Sequence, residues 1–359
     1  MSSLEHLVNT CEPASFGRGN ENVYDESYRK AGKLSSDSFQ PMLGMNTILS
    51  VLDVIRDRLL GGSEENKSIR AELYNLNIYG EGSFFKAHVD TPRGEDMFGS
   101  LVIFYPTKHE GGTLVLRKNK KEWSFDSSKV LADDQEHQVG YVALYSDVEH
   151  EVLPVTSGHR ISITYNLYFD HTLASSLPIP LSSALMANTF KSTLEELLRD
   201  SSFLSHGGYL GVALEYAYPS HTSAGRDLST LERCLKGVDA DVMKACKDLG
   251  LETSLWTIID WESSEQKLAC KGIVPKYESG TFGDGDDLHR WLFDNFDAKE
   301  LRTTNYDSGI LVAWVKPLPE DRWDKQTFIG YGNEYHPDYA YYTVCLLVQV
   351  GKPGERNIV

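Results

Sequence analysis

The sequence has few cysteines and no long apolar run. Its five cysteines are odd in number and scattered, and they form no Cys-x-x-Cys pair, so they fit free thiols in a reducing compartment rather than a disulfide framework. No apolar run of about 18 residues occurs. Residues 1–30 are polar and lack the apolar core of a signal peptide. We therefore expect a cytoplasmic or nuclear protein that is not secreted and does not enter a membrane.

Positive charge is also scarce. Lysine and arginine together number 35 against 52 aspartates and glutamates, which gives a formal net charge of −17. Proteins bind nucleic acids and anionic membranes through dense positive charge on their own surface, so neither is expected as a partner here. The 359 residues, of which 41% are hydrophobic, are enough for two modest domains or one large one.

Three residues in the first half form a candidate metal site. Residues 74–79 alternate as a strand does, glycines follow at 80 and 82, and an extended pattern resumes over 84–90. Positions two apart share one face of a strand, so His88 and Asp90 point the same way. His150 comes after a second apolar strand and a polar turn. Two imidazoles and one carboxylate are the ligand set of mononuclear non-haem iron(II) and leave three positions open.

Spacing separates this group from a second His-x-Asp pair. His336 and Asp338 enclose a proline and have no further histidine or arginine spaced to complete a site, so we interpret that pair as part of a loop. His150 is the only histidine with an arginine ten residues downstream, which is Arg160.

Arg160 begins a cleanly alternating strand over residues 158–167. Arg160 and Ser162 share one face of that strand. A guanidinium on an otherwise buried strand needs an anionic partner. A bound carboxylate held by two parallel hydrogen bonds, with Ser162 adding a third, would satisfy it; a carboxylate of the protein itself is the alternative.

From about Leu73 to Phe169 the chain resembles the iron(II)/2-oxoglutarate-dependent dioxygenases, in particular the prolyl 4-hydroxylase-like branch. The matching residues are Tyr79, the run His88–Asp90, the run Glu110–Leu114 and the run His150–Arg160. The resemblance implies a double-stranded β-helix, a jelly roll that opens on the metal at one end. It also implies Fe(II), 2-oxoglutarate as cosubstrate and O2, with ascorbate as a reductant.

The same resemblance implies roles for four residues in the cosubstrate pocket. Arg160 would hold the distal carboxylate of 2-oxoglutarate, and Ser162 stands where some members complete an Arg-x-Ser pair. Asn77 and Tyr79 resemble an Asn-x-Tyr pair that some members use on the cosubstrate. Arg93, three residues after the proposed ligand Asp90, is expected near the mouth as a substrate contact or as an ordinary surface arginine.

Two departures narrow the expected activity. Many collagen-type prolyl hydroxylases have lysine where this chain has Arg160, so a collagen-type role is not expected. In the halogenase variant of this family a small residue stands in place of the carboxylate ligand. Because this chain has Asp90 there, halogenation is disfavoured. The N-terminal residues Asp25, Tyr28 and Arg29 are expected to fold over the mouth.

Three functions remain open from the sequence. The first is hydroxylation of a C–H bond on a protein or peptide side chain, with proline as the first candidate. The second is an oxygenase that acts on a small metabolite or free amino acid. The third is a non-catalytic scaffold that retains the fold, which the intact ligand set and Arg160 disfavour.

The expected fold is mostly β with flanking helices. Residues 1–172 would form the dioxygenase jelly roll, with irregular structure over 1–45 and a supporting helix over 46–60. Prolines at 178 and 180 mark a boundary within 171–183. Residues 183–359 would form a non-catalytic lobe, either α+β or a degenerate second jelly roll. Five of the six tryptophans lie in this second half, which predicts a packed core there.

Overall fold

The computed structural model describes residues 3–18, 21–60, 67–94, 96–131, 138–174, 181–221, 228–259, 267–272, 292–302, 309–318, 331–332, 339–341 and 344–356. Its helices are α1 Ser3–Thr10, α2 Met45–Ile55, α3 Ser127–Val130, α4 Leu181–Arg199, α5 Ser229–Glu232 and α6 Gly237–Asp248, and a π-helical turn Arg56–Leu60 follows α2. The strands of the first half are β1 Glu12–Pro13, β2 Phe16–Arg18, β3 Glu21–Val23, β4 Arg29–Lys30, β5 Gly32–Ser35, β6 Lys67–Tyr79, β7 Phe84–His88, β8 Met97–Phe104, β9 His109–Gly111, β10 Leu114–Lys118, β11 Lys121–Phe125, β12 Gly140–Tyr145, β13 Glu149–Val152, β14 Val155–Gly158 and β15 Arg160–Ala174.

The strands of the second half are β16 Gly208–Ala213, β17 Pro219–His221, β18 Glu252–Ile259, β19 Leu268–Cys270, β20 Lys299–Arg302, β21 Ile310–Lys316, β22 Tyr331–Gly332, β23 Tyr339–Tyr341 and β24 Val344–Val350. The chain divides into two compact units. The first comprises Met1–Leu59, Lys67–Ser175 and Ile329–Pro337, and the second Leu60–Asn66, Ser176–Phe328 and Asp338–Val359. The division of roles between residues 1–172 and 183–359 stays a prediction.

Two antiparallel sheets build the first unit. One has the order β1-β5-β6-β15-β8-β12, and the other has the order β11-β10-β13-β7-β4. From β6 to β15 the chain passes repeatedly from one sheet to the other, as the strands of a jelly roll do. The turn at 80–83 makes one such crossing: Gly82 adopts φ +72°, and the amide of Ser83 donates to the carbonyl of Gly80 at 2.9 Å. That turn carries the chain from β6 to β7.

Side chains from both sheets fill the space between them. Tyr79 and Phe104 come from the larger sheet, and Phe85, Leu114 and Val152 come from the smaller one. All five are buried. This apolar layer lies between the two sheets, and Phe85 of the layer stacks on the ring of His88, one of the metal-ligand candidates.

The N-terminal region is more ordered than the sequence predicts. The expectation of irregular structure over 1–45 is wrong, because α1 and five short strands lie there. The strand β5 pairs with β6, and β4 pairs with β7, so each of the two sheets gains a strand. The short strand β2 pairs with β22, which comes from the far end of the sequence. The helix predicted over 46–60 is regular only over α2, and the π-helical turn replaces its last residues.

The second unit contains a closed barrel with the order β16-β21-β20-β19-β18-β24. Its β16–β21 and β20–β21 pairs are parallel, whereas the strand pairs described in the first unit are antiparallel. Helices α4 and α6 pack against it through an apolar cluster that includes Leu198 and Cys246. Trp256 is buried inside a second cluster, while Trp123 in the first unit is 50% exposed. The tryptophans at 261, 291 and 323 lie outside the described residues.

Candidate active site

The pairing of β7 with β13 brings two predicted metal ligands together. His88 and His150 are directly opposite each other in the register of these antiparallel strands. Their ring centroids are 4.2 Å apart, and one donor atom from each of His88, Asp90 and His150 lies within 4.8 Å of the others. Directly opposed residues are the closest side-chain neighbours on a sheet face. The strands alone therefore place both imidazoles at one point.

Backbone carbonyls orient both imidazoles. Nδ1 of His88 lies 2.8 Å from the carbonyl oxygen of Lys86, and Nδ1 of His150 lies 3.0 Å from that of Val148. A carbonyl can only accept, so each Nδ1 carries a proton and Nε2 is the ring atom turned toward the metal group. Burial, and then the neighbouring His150, hold the pKa of His88 well below its ordinary value. His88 is therefore neutral, as a metal ligand must be.

Asp90 supplies the third donor. One of its oxygens, Oδ1, lies 3.7 Å from Nε2 of His150. The other, Oδ2, accepts a hydrogen bond from the hydroxyl of Ser100 at 2.5 Å. The amide of Asp90 donates to the carbonyl of Ser146 at 3.1 Å, which holds the backbone after β7. One oxygen of the carboxylate is thus anchored and the other faces the histidines.

Replacing Ser100 by alanine should weaken metal binding without removing a ligand. The hydroxyl orients Asp90, and the loss of such an outer hydrogen bond costs roughly 10- to 100-fold in metal affinity. Titration of the metal-free protein with Fe(II) or Mn(II) would measure the change. Ser124→Ala, at an exposed serine on β11, is the matched control. Equal affinity in Ser100→Ala and Ser124→Ala would contradict the role given to Ser100.

Arg160 lies in the same interior. It is 2% exposed, and it is directly opposite Tyr79 in the β6–β15 pair. Its guanidinium carbon is 5.0 Å from the ring centroid of Tyr79 and 4.8 Å from that of Phe104. Burial lowers the pKa of Arg160 to about 10, so it is still charged at neutral pH.

The charge of Arg160 has no counterion within the part of the chain that the structure describes. No Asp or Glu oxygen of those residues lies within 4.0 Å of its guanidinium. Its Nε is buried and has no hydrogen-bond partner. A buried, unpaired cation is costly. The alternative of a protein carboxylate as its partner thus has no support among the described residues, and an anionic ligand fits.

Glycines make room beside Arg160. Gly111 and Gly112 have φ of +73° and +68°, a region that favours glycine. A Cβ on Gly112 would lie 2.9 Å from Cδ of Arg160 and 2.8 Å from Cγ2 of Val155. The glycine pair after Glu110 therefore serves the packing of the arginine side chain.

One pocket of about 570 Å³, counted out to its open mouth, joins the metal group to Arg160. Most of the predicted site residues line it: His88, Asp90, His150, Arg160, Tyr79, Asn77 and Ser162. Three cross-strand pairs of β6 and β15 form its polar wall, and they are Tyr79 with Arg160, Asn77 with Ser162, and Asn75 with Thr164. The wall leads from Arg160 toward the metal group.

Arg93 does not line the pocket itself. Its Nη2 donates to the hydroxyl of Tyr74 at 2.6 Å, and its guanidinium carbon is 4.1 Å from the Tyr74 ring centroid. Tyr74 does line the pocket. Arg93 therefore lies behind Tyr74 and does not itself face the pocket. Its role as a substrate contact stays a prediction.

The arrangement suits the two groups that the sequence resemblance implies. Two imidazoles whose Nε2 atoms face Asp90, together with that anchored carboxylate, are a donor set for Fe(II). The unpaired guanidinium of Arg160 suits the distal carboxylate of a dicarboxylic acid whose other end reaches the metal. Among the residues that the structure describes, no other three His, Cys, Asp or Glu side chains form such a group.

Sequence reasoning missed Ser100, which supports the site, and expected Arg29 only over the mouth. Ser100 interrupts an otherwise apolar strand, β8, and that interruption was the available signal. Arg29 was expected over the mouth, but it is 6% exposed and lines the pocket. Only the pairing of β4 with β7 brings Arg29 there, and no local pattern reveals that pairing.

The comparisons with known proteins match the segment of the chain that holds the candidate site. Residues 74–168 match the family model described as the 2OG-Fe(II) oxygenase superfamily. No curated protein matches the chain. No helix in the described part of the chain is long and apolar enough to cross a membrane.

Several solved structures are similar to part of the chain. A Pseudomonas putida prolyl-4-hydroxylase is 18% identical over 46% of this chain and 80% of that one, with a TM-score of 0.30. A prolyl hydroxylase from Trichoplax adhaerens, solved in complex with a hypoxia inducible factor oxygen degradation domain peptide fragment, is 19% identical over 46% and 74%, with a TM-score of 0.32. A viral collagen prolyl hydroxylase from Paramecium Bursaria Chlorella virus-1, solved as a 2OG complex, is 15% identical over 39% and 79%, with a TM-score of 0.26.

The match to the family model covers the strands that hold the candidate site. It spans β6 to β15, the strands that hold both the metal group and Arg160. The 2OG-Fe(II) oxygenase superfamily implies Fe(II), 2-oxoglutarate and O2. We conclude that residues 74–168 form a domain that matches the 2OG-Fe(II) oxygenase superfamily, and that this domain supports a 2-oxoglutarate-dependent dioxygenase.

Proposed function

We propose that this dioxygenase hydroxylates a C–H bond on a side chain of a protein or peptide, with proline as the first candidate. The observation that carries the proposal is the unpaired, buried Arg160 in the same pocket as His88, Asp90 and His150. Tyr74 lines that pocket, and the guanidinium of Arg93 lies over its ring, a cation beside an aromatic ring. Such a pair suits the carbonyl groups or acidic side chains of a peptide that lies across the mouth.

Iron(II), which His88, Asp90 and His150 would hold, would supply the oxidative chemistry, in which 2-oxoglutarate and O2 become succinate and carbon dioxide and one oxygen atom enters a C–H bond of the substrate. The chain binds and orients the reactants. His88 and His150 present Nε2 atoms to the iron, and Ser100 holds Asp90 in the orientation that ligation needs. Arg160 takes the distal carboxylate of the cosubstrate. The apolar side chains around it exclude water from that end of the pocket.

The remaining assignments belong to the same proposal. Ser162, Asn77 and Tyr79 line the cosubstrate end, and Arg93 contacts the substrate at the mouth. Ascorbate serves as a reductant that keeps the iron in the Fe(II) state. The second compact unit is a non-catalytic lobe, and the protein acts in the cytoplasm or nucleus without nucleic-acid or membrane partners.

Succinate release separates the candidate substrates. The full-length protein would be loaded with Fe(II) and 2-oxoglutarate and offered two panels: proline-containing peptides, each with a matched alanine peptide, and free amino acids with small metabolites. We expect a proline peptide to raise succinate release above the level without substrate and to gain one oxygen atom by mass spectrometry. The matched alanine peptide should do neither.

Other outcomes would redirect the assignment. Stimulation by a small metabolite that itself gains the oxygen atom would favour the metabolite oxygenase. Binding of Fe(II) and 2-oxoglutarate with no succinate under any condition would favour a scaffold. The iron-binding variant His150→Ala serves as the inactive control in both panels.

A further inference from the structure

A second arginine, Arg29, reaches the interior of the pocket. It lies on β4, the strand at the edge of the smaller sheet, where it is opposite Phe85 of β7. Arg29 is 6% exposed and lines the same pocket as the metal group and Arg160. The pocket therefore contains two buried guanidinium groups, and the proposed distal carboxylate of the cosubstrate accounts for one.

Every partner of Arg29 among the described residues is neutral. Nη1 donates to the carbonyl oxygen of Ser15 at 2.6 Å, and Nη2 donates to Oδ1 of Asn77 at 2.9 Å. Its guanidinium carbon lies 4.4 Å from the ring centroid of Phe85. Nε is buried and has no hydrogen-bond partner, and no Asp or Glu oxygen of the described residues lies within 4.0 Å.

The position of Arg29 indicates which group it can meet. Its partner Asn77 lies two residues before Tyr79 on β6, and Tyr79 is the residue opposite Arg160. Asn77 therefore lies next to Arg160, on the side toward the metal group. Its other neighbour, Phe85, stacks on the ring of His88 with centroids 3.6 Å apart. Arg29 thus lies beside the stretch of pocket between Arg160 and the metal ligands. A dicarboxylic acid that spans this stretch has one carboxylate at each end.

We propose that Arg29 is a second carboxylate-binding residue of this pocket and that it binds the carboxylate of 2-oxoglutarate next to the 2-oxo group. The inference rests on the proposed function, because it takes 2-oxoglutarate as the ligand of the pocket. A buried guanidinium with only neutral partners gains from a carboxylate, and its fork matches carboxylate geometry. Asn77 holds the fork in place, which gives that residue a positioning role rather than a direct cosubstrate contact.

Equilibrium binding of two probes tests the assignment. The probes are 2-oxoglutarate and 2-oxopentanoate, which has the same 2-oxo acid end and no distal carboxylate. The full-length protein would be loaded with Mn(II), and each probe would be titrated by calorimetry, with 2-oxopentanoate also measured by competition. The variants are Arg29→Gln, which keeps an N–H donor but loses the charge, and Arg160→Lys. Arg18→Gln, at an exposed arginine on β2, is the control.

We expect Arg29→Gln to weaken both probes by the same factor, about tenfold or more, because both carry the carboxylate that Arg29 binds. Arg160→Lys should weaken 2-oxoglutarate and leave 2-oxopentanoate unchanged. Wild-type binding of both probes by Arg29→Gln would overturn the proposal and leave Arg29 as a residue that only holds the N-terminal segment. Loss of affinity for 2-oxoglutarate alone would also overturn it, since Arg29 would then share the distal carboxylate.

Two further results keep the assignment separate from the proposed function. If Arg160→Lys binds 2-oxoglutarate normally while Arg29→Gln does not, the role of Arg160 is wrong and that of Arg29 stands. If the wild-type protein does not bind 2-oxoglutarate, both fail. Should Arg29→Gln not fold, Arg29→Lys replaces it, because it keeps the charge and loses the planar fork. We then expect a several-fold loss for both probes, and unchanged affinities would overturn the proposal.

Discussion

His150→Ala should abolish both iron retention and turnover. The substitution removes one of three protein donors and leaves His88 and Asp90 with an additional open position on the metal. Loss of an outer hydrogen bond alone costs roughly 10- to 100-fold in metal affinity, so loss of a ligand should exceed about 100-fold. Iron content after gel filtration and succinate release in excess 2-oxoglutarate would measure the two effects.

The control for this variant is His206→Ala, which replaces an exposed histidine of the second unit. Its iron content and turnover should match those of the wild-type protein. Melting temperatures without metal should be similar for the two variants, because His150 is part of a strand pair whose backbone bonds remain. Full oxygenase activity in His150→Ala would end the assignment of the metal site.

Arg160→Lys should raise the KM for 2-oxoglutarate by roughly 10- to 100-fold, the effect of losing a charge-assisted hydrogen bond. Lysine keeps the positive charge but has no planar fork and no Nε, which is the atom without a protein partner here. The KM for the substrate that is hydroxylated should change much less, because the arginine is buried against the rings of Tyr79 and Phe104. Initial rates with each reactant varied in turn would separate the two constants.

Arg70→Lys is the matched control for that experiment. Arg70 lies on β6, the strand that carries Tyr79, but its side chain is 46% exposed and pairs with Glu72 at the surface. That variant should leave both constants unchanged. An unchanged KM for 2-oxoglutarate in Arg160→Lys would mean that the buried guanidinium serves the packing of the sheets and not the cosubstrate.

The metal group shows what a strand pattern can predict. The period of two along a strand places His88 and Asp90 on one side, and this holds whatever the rest of the fold does. The third ligand was found by its distance from Arg160 in the sequence. That His150 stands directly opposite His88 follows from the register of β7 with β13, which depends on how the intervening strands fold back.

The region before β6 shows where local patterns fail. Strands β1 to β5 contain two to four residues each, too few for a period to be visible. They become strands because other strands offer edges: β4 pairs with β7, β5 pairs with β6, β1 pairs with β5, and β2 pairs with β3. The same holds for β22, which pairs with β2 from a distance of more than three hundred positions along the chain. Such pairings depend on tertiary packing, which overrides weak local preference.

The sequence by itself determined which residues are the candidates for the chemistry: His88, Asp90 and His150 as predicted metal donors, and Arg160 as a cation in need of an anion. These assignments depend on residue type, on spacing along one strand and on a resemblance, all of which are local properties of the chain. Only the tertiary structure decided that Ser100 anchors Asp90 and that Arg29 enters the pocket. Both contacts join strands that are far apart in sequence or belong to different sheets, and their side chains meet only after the two sheets have closed over a common interior.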